Sequence, residues 1–187
     1  MPRPVTCDGA TTLRWFAVYV KTNAERSVAS VLKTKGYEEF VPTYKETRQW
    51  SDRRKQVELP VFTRYVFCRF DEQRRLPVLT TPGVVSIVGT TAGPTPMEPS
   101  EIEALRLTWL SGLECRPWPF LQEGRRVRVR RGPLTGVEGL LVRSKKGCRL
   151  VLSVTLLQSS AAIEVDAAAI EPLPRHSGDG SGKPRIS

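Results

Sequence analysis

Residues 59–71 read Leu59-Pro60-Val61-Phe62-Thr63-Arg64-Tyr65-Val66-Phe67-Cys68-Arg69-Phe70-Asp71. In extended chain, successive side chains point to opposite faces, so Tyr65 and Phe67 lie on one side, and Val66, Cys68 and Phe70 on the other. A strand apolar on both faces is central in its sheet, or turns one face to a partner. Upstream, Trp15-Phe16-Ala17-Val18-Tyr19-Val20 is a second short run of aromatic and β-branched residues and predicts a buried strand. Thr22 and Glu25 then have the spacing of a capping box. Ala24, Val28, Val31 and Leu32 recur along one helical face, and Gly36 supplies the stop. Between these units, Thr47 to Gln56 is polar and carries Arg48, Arg53, Arg54 and Lys55, which predicts a hairpin with an exposed tip.

Downstream, a short helix is expected near Arg74–Leu79, turn chemistry at Thr81-Pro82-Gly83, and a strand from Val84 to Val88. Ser100 and Glu103 form a second capping-box spacing ahead of a stripe of Ile102, Leu105, Trp109 and Leu110. Glu114 to Pro119 holds two prolines and reads as a linker. After it the texture changes to five short apolar-alternating runs with glycine turns between Gly124 and Pro172, as in a small barrel. The expected organisation is a leader over residues 1–12, an α+β domain over 13–112, a linker over 113–120, a β-barrel domain over 121–174 and a tail over 175–187.

Composition restricts the chemistry. The chain has 187 residues, with 29 Lys and Arg against 19 Asp and Glu, a net charge of +10. No apolar run approaches the roughly 20 residues of a membrane helix, and the N-terminus has no signal-like core, so a cytoplasmic protein is expected. The only histidine, His176, sits in a stretch of Ser, Gly and Pro, and the four cysteines form no CxxC pair. Catalysis, a metal and a cofactor are therefore not expected. The positive charge points to an anionic partner, most simply nucleic acid. Between Gly124 and Arg149 nine Lys and Arg face a single Glu138, a local excess of +8 within the second domain.

The order of these pieces resembles the NusG family of transcription elongation factors, which joins an N-terminal NusG-type (NGN) antiparallel sheet with flanking helices to a C-terminal KOW barrel. Residues 15–21 with Glu25 are similar to the family's first strand and helix, and residues 59–71 to its central strand. Thr80-Thr81-Pro82-Gly83-Val84 through Gly89, and Pro96-Met97-Glu98, resemble the segments leading to its last helix. Val127-Arg128-Val129 and Gly132-Pro133-Leu134-Thr135-Gly136 resemble the KOW signature. Thr63-Arg64 stands where the family usually has Pro-Gly, and Leu156-Leu157-Gln158-Ser159 where general members have Ile-Phe-Gly-Arg. These departures are similar to the specialised RfaH and UpxY antiterminators.

The resemblance implies a non-enzymatic, monomeric factor that docks on the RNA polymerase clamp helices through Phe62, Tyr65 and Phe67, and on the gate loop through Thr80 and Thr81. Bridging clamp and gate would suppress pausing or termination. From the residues alone, the three aromatics either pack beneath the domain's helices or form a docking face, and the two threonines either anchor a partner or only shape their turn. Lys21, Arg26, Arg53, Arg54 and Lys55 are candidates to meet non-template DNA or nascent RNA through phosphate contacts, with a solvated hairpin tip as the alternative for the last three. The resemblance implies that the KOW domain recruits Rho or a small-subunit ribosomal protein through Leu156 and Leu157. The basic barrel also leaves open an RNA-binding or ribosome-associated KOW protein. No membrane partner is expected.

Overall fold

A strand that must bury both faces is placed between two neighbours and under two layers, and the chain does this with residues 65–71. The structure is a computed structural model and describes residues 12–50, 53–120, 124–144 and 147–173. The leader expected before Thr12, the tail expected from residue 175 and the side chain of Arg53 lie outside the described residues. The elements of the first part are β1 (Leu13–Val20), α1 (Glu25–Thr34), β2 (Glu38–Phe40), β3 (Thr43–Trp50), β4 (Arg53–Pro60), β5 (Tyr65–Asp71), α2 (Leu76–Leu79), β6 (Val84–Ile87), β7 (Gly89–Thr90), β8 (Gly93–Pro94) and α3 (Pro99–Leu110). The second part holds β9 (Cys115–Trp118), β10 (Arg125–Val129), β11 (Glu138–Ser144), β12 (Gly147–Val154), β13 (Ser159–Val165) and β14 (Ile170–Pro172).

The first sheet is antiparallel, in the order β2-β5-β1-β6, and β5 is internal. Val66, Cys68 and Phe70 of β5 join Phe16, Val18 and Val20 of β1 in a core closed by Val28, Ala29 and Leu32 of α1. Tyr65 and Phe67 join Trp15 and Ala17 on the opposite face, with Ile102 and Leu105 of α3 in the same cluster. Arg106 fixes α3 there. Its guanidinium lies 5.0 Å from the centre of the Trp15 ring and 2.7 Å from Glu38 of β2. The fold is α+β.

Two helix starts differ from expectation. Neither α1 nor α3 has a side-chain cap bond. Glu25 does not reach back to Thr22. It is 4% exposed, and its carboxylate accepts the backbone N–H of Arg64 at 2.7 Å. Arg64 holds a left-handed backbone (φ 68°), a conformation that costs a non-glycine residue roughly 1–2 kcal/mol. The bond from Glu25 and the Arg64 guanidinium 4.4 Å from the Tyr19 ring centre hold this turn. In α3, Pro99 takes the first turn, where its missing N–H is harmless, and Ser100 falls inside the helix. The stop of α1 is as expected: Gly36 has φ 84°, its N–H donates to the Lys33 carbonyl, and the Tyr37 N–H donates to the Leu32 carbonyl.

The second sheet is antiparallel, in the order β14-β10-β11-β12-β13-β9. The segment expected to be a linker contributes its edge. Cys115–Trp118 pairs with β13, with Pro117 opposite Ala161. Proline is tolerated there because an edge strand need not donate on its outer side. The two sheets are not independent. One continuous cluster of buried side chains runs from Phe40, Phe62 and Phe67 through Ile102 and Leu105 to Val137, Leu150, Leu152 and Leu157. The Glu101 carboxylate of α3 crosses the seam, accepting the Thr155 N–H at 3.2 Å and its hydroxyl at 2.6 Å.

Glu25→Ala is expected to lower the unfolding free energy by about 2 kcal/mol, the size of a bond to a charged group. Glu25→Gln, whose amide oxygen still accepts the Arg64 N–H, is expected to lose less; urea titration of both variants checks the order.

Candidate functional site

The candidate docking aromatics lie at the junction of the two sheets. Phe62 is 3% exposed and Phe67 is fully buried; their rings meet edge to face at 5.5 Å. Phe67 also stacks on Phe40 at 5.8 Å, and Phe40 meets Trp109 edge-on at 5.6 Å. Tyr65 is half-buried beside Tyr19, with the ring centres 5.5 Å apart. Of the two roles open to them in sequence, packing describes Phe62 and Phe67 as they stand. What they pack beneath includes the second domain as well as the helices of the first. The stripe expected on α3 is also divided. Ile102 and Leu105 are buried, whereas Trp109 is 45% and Leu110 68% exposed.

The two threonines part company. Thr80 is exposed, its hydroxyl donating to the Leu76 carbonyl at 3.0 Å. Thr81 is 2% exposed; its hydroxyl donates to the Pro77 carbonyl at 3.0 Å and accepts from the Lys35 ammonium at 2.8 Å. Thr81 is thereby occupied in holding α2 against the end of α1. The turn that follows is tight. Gly83 has φ 94°, and a Cβ there would meet Val28 Cγ2 at 2.9 Å.

The candidate cations do not form one patch. Lys21 is exposed next to the β1–α1 turn, and its N–H donates to the Gly83 carbonyl. Arg26 is committed to Glu58 at 2.5 Å, at the root of the β3–β4 hairpin. Arg54 and Lys55 are exposed farther along β4. In the barrel, Arg126 and Arg128 alternate with buried Val127 and Val129, as a half-buried strand requires. Both reach Glu138, at 3.5 and 2.5 Å, while Arg130 pairs with Glu171 at 3.2 Å. Arg149 reaches Glu164 at 3.4 Å and lies 5.2 Å from the centre of the Trp118 ring.

Leu156 and Leu157 follow Thr155 in a 3-10 turn between β12 and β13. Leu157 is buried and Leu156 half-buried, both against the core shared by the two sheets. Reading the sequence missed the roles of Glu25, Lys35, Glu101 and Thr155. Each acts on a residue far along the chain, and no local spacing announces that. Burial raises the Cys68 and Cys115 thiols to about 12, so they are inert packing groups. Among the described residues no three His, Cys, Asp or Glu side chains gather as a metal site, and no helix is long and apolar enough to cross a membrane.

The family model of NusG, described as transcription termination factor nusG, matches residues 13–106. The chain belongs to the NusG family. A curated relative, the transcription termination/antitermination protein NusG of Halalkalibacterium halodurans, is 28% identical over 174 residues, covering 85% of this chain and 98% of the relative. Among solved structures, "Domain interaction in Thermotoga maritima NusG" aligns with 89% of this chain and 100% of its own at a TM-score of 0.51 and 16% identity, a likeness of fold. A chain of the MjSpt4:Spt5 complex aligns with 87% of this chain and 99% of its own at 16% identity, with a TM-score of 0.29. The NusG family comprises non-enzymatic transcription factors, and this member has a role in transcription elongation and termination.

The hairpin root is sensitive to acid. A hydrogen bond from Thr43, then one from Arg26, holds the Glu58 carboxyl below its ordinary value of 4.5. A carboxyl depressed by folding stabilises the native state above its unfolded pKa, and the contribution is lost as pH falls through the folded value. Glu58→Gln is therefore expected to flatten the fall in stability below pH 4.5, measured by urea denaturation across pH.

Proposed function

We propose that this NusG-family chain binds RNA polymerase through the face of the first sheet that carries Phe62, Tyr65 and Phe67, with Thr80 as the exposed contact to the gate loop. Thr81 shapes that contact from beneath. Holding clamp and gate together favours the closed polymerase and disfavours pausing or termination. The factor does this by binding the closed state better than the open one. Family membership supports the reading. The single observation that carries it further is the cluster that Phe62 and Phe67 share with barrel residues such as Leu152 and Leu157.

Aromatic side chains dominate interface energies, and here they lie on a surface already used between domains. Docking on the clamp helices then requires the barrel to move away, breaking the Glu101–Thr155 bonds. The same motion releases Leu156 and Leu157, which are covered in the closed arrangement. Polymerase docking and recruitment of a further protein by the KOW domain are thus coupled through one seam. The paired arginines of β10 leave the second domain less suited to independent RNA binding than its composition implies.

Pull-down of core RNA polymerase with full-length variants tests both steps. Tyr65→Ala with Thr80→Val is expected to weaken binding about 30-fold, the loss of a hot spot of about 2 kcal/mol. Glu101→Ala is expected to strengthen binding several-fold by lowering the cost of opening. A folded Tyr65/Thr80 double variant that binds normally would remove the docking assignment, and an unchanged Glu101→Ala would remove the opening step.

A further inference from the structure

Among the described residues, three other than glycine hold a left-handed backbone: Asn23 at φ 61°, Arg64 at φ 68° and Gln158 at φ 49°. Each needs a reason, because a side chain there crowds its own backbone and glycine has none to crowd. Asparagine is among the residues that enter this region most readily. Gln158 uses its side chain inside its own turn, where the amide donates to the Thr155 carbonyl at 2.9 Å. Arg64 fits neither case. The bonds that fix its turn are made by its backbone. The Arg64 N–H donates to the Glu25 carboxylate at 2.7 Å, and the Arg64 carbonyl accepts from the Val20 N–H at 2.9 Å. Glycine would make both bonds without the strain.

The Arg64 side chain adds a ring contact to this turn and leaves its charge unpaired. Its Nε donates to the Val20 carbonyl over 3.4 Å, and the guanidinium lies 4.4 Å from the Tyr19 ring centre. Among the described residues no carboxylate forms an ion pair with it. Tyr19 stands opposite Tyr65 across β1 and β5, and Tyr65 packs on the cluster that holds Phe62 and Phe67. Tyr19, Arg64 and Tyr65 are half-buried, whereas Phe62 and Phe67 are covered. The arginine thus stands at the open margin of the aromatic face. A strained backbone that presents an unpaired cation there points to a use outside the fold.

We infer that Arg64 is a specificity-determining residue for polymerase docking, its guanidinium pairing with a carboxylate on the polymerase surface that meets Tyr65. The inference rests on the docking face proposed above. The planar fork of an arginine takes a carboxylate through two parallel hydrogen bonds. The aromatic surround shields one side of the pair from water, which strengthens it. Tyrosine and arginine are also the side chains that most often anchor a protein interface. A nucleic-acid backbone is met instead by several cations together. Here Lys21 adjoins Val20 beside this turn, but Arg26 is engaged by Glu58, and Arg54 and Lys55 lie out along β4. One fixed cation on an aromatic face suits a single carboxylate.

The test uses the full chain and core RNA polymerase. Arg64→Gly keeps the backbone N–H that Glu25 accepts and removes the strain together with the cation. It is expected to leave the denaturation midpoint near wild type, because relief of strain offsets the lost ring contact, and to weaken polymerase binding about 10-fold. Arg64→Lys keeps the charge without the fork and is expected to recover only part of that loss. It also sets an amine at the proposed contact. A carbodiimide, which condenses an amine and a carboxylate into an amide, is expected to link position 64 of this variant to an Asp or Glu of polymerase, located by mass spectrometry. Tyr65→Ala with Thr80→Val tests the face itself. If that pair weakens binding and Arg64→Gly binds like wild type, the face stands and the role of Arg64 falls; if both bind like wild type, the face falls with it. A midpoint that drops in step with binding in Arg64→Gly would make the residue structural and overturn the inference. An equal loss of affinity for a short DNA duplex, with no cross-link at position 64, would overturn it in favour of a phosphate contact.

Discussion

A strand with two apolar faces cannot lie on a surface, and the architecture follows from giving β5 two covers. One face closes against α1, which buries Val28 and Leu32 over Val66, Cys68 and Phe70. The other face carries larger side chains, and α3 alone does not finish it. The cluster continues into the second domain, where Leu150, Leu152 and Leu157 complete the burial that begins at Phe67. Apolar burial is worth about 25 cal/mol per Å² and is not directional. Any apolar surface of suitable shape can therefore serve as the second cover. Directionality is added by a few polar bonds, chiefly Glu101 to Thr155 across the seam and Arg106 to Glu38 within the first domain.

This arrangement bears on function because the proposed docking aromatics and the proposed recruitment loop occupy the two sides of one interface. A surface that satisfies itself internally is available to a partner only at the cost of separating its halves, and the partner's contacts must exceed that cost. The supports beneath the surface are of a different kind. Glu25 on the Arg64 N–H and Lys35 on Thr81 each tie a loop of the first domain to α1. They hold the loop around Phe62 and the turn around Thr80 in place without belonging to the seam.

Charge is distributed less simply than the total suggests. By sequence the two domains share the excess equally, +4 over residues 13–112 and +4 over residues 121–174, and within the second domain the cations crowd between Gly124 and Arg149. There Glu138 pairs with Arg126 and Arg128 of β10, Glu171 pairs with Arg130 just beyond it, and Glu164 answers Arg149. Exposed pairs of this sort contribute little stability, but they lower the local field. In the β3–β4 ribbon the cations are fewer, yet two of them face each other across the strands. Where a cation sits relative to its neighbours decides its field more than how many there are.

Much of the first domain was legible in residues 15–70. Alternation in β1 and β5, helical periodicity in α1 and the Gly36 stop are short-range signals, and each gave the observed element. The family resemblance carried by Phe62–Phe70, Thr80–Val84 and Gly132–Gly136 was legible for the same reason: a motif is a local string. The capping spacing at Glu25 misled because a buried N–H thirty-nine positions away was the stronger claimant on its carboxylate. Cys115–Trp118 read as a linker because two nearby prolines argue against internal hydrogen bonding, but not against an edge strand beside β13. Sequence by itself determined most elements of the first domain, the two apolar faces of β5 and the family. Only the tertiary structure decided that Phe62 and Phe67 are covered by a second domain, that Thr81 is spent on Lys35, and that Arg48 faces Lys55. Those outcomes depend on which distant groups meet, and a contact between distant residues leaves no period in the chain.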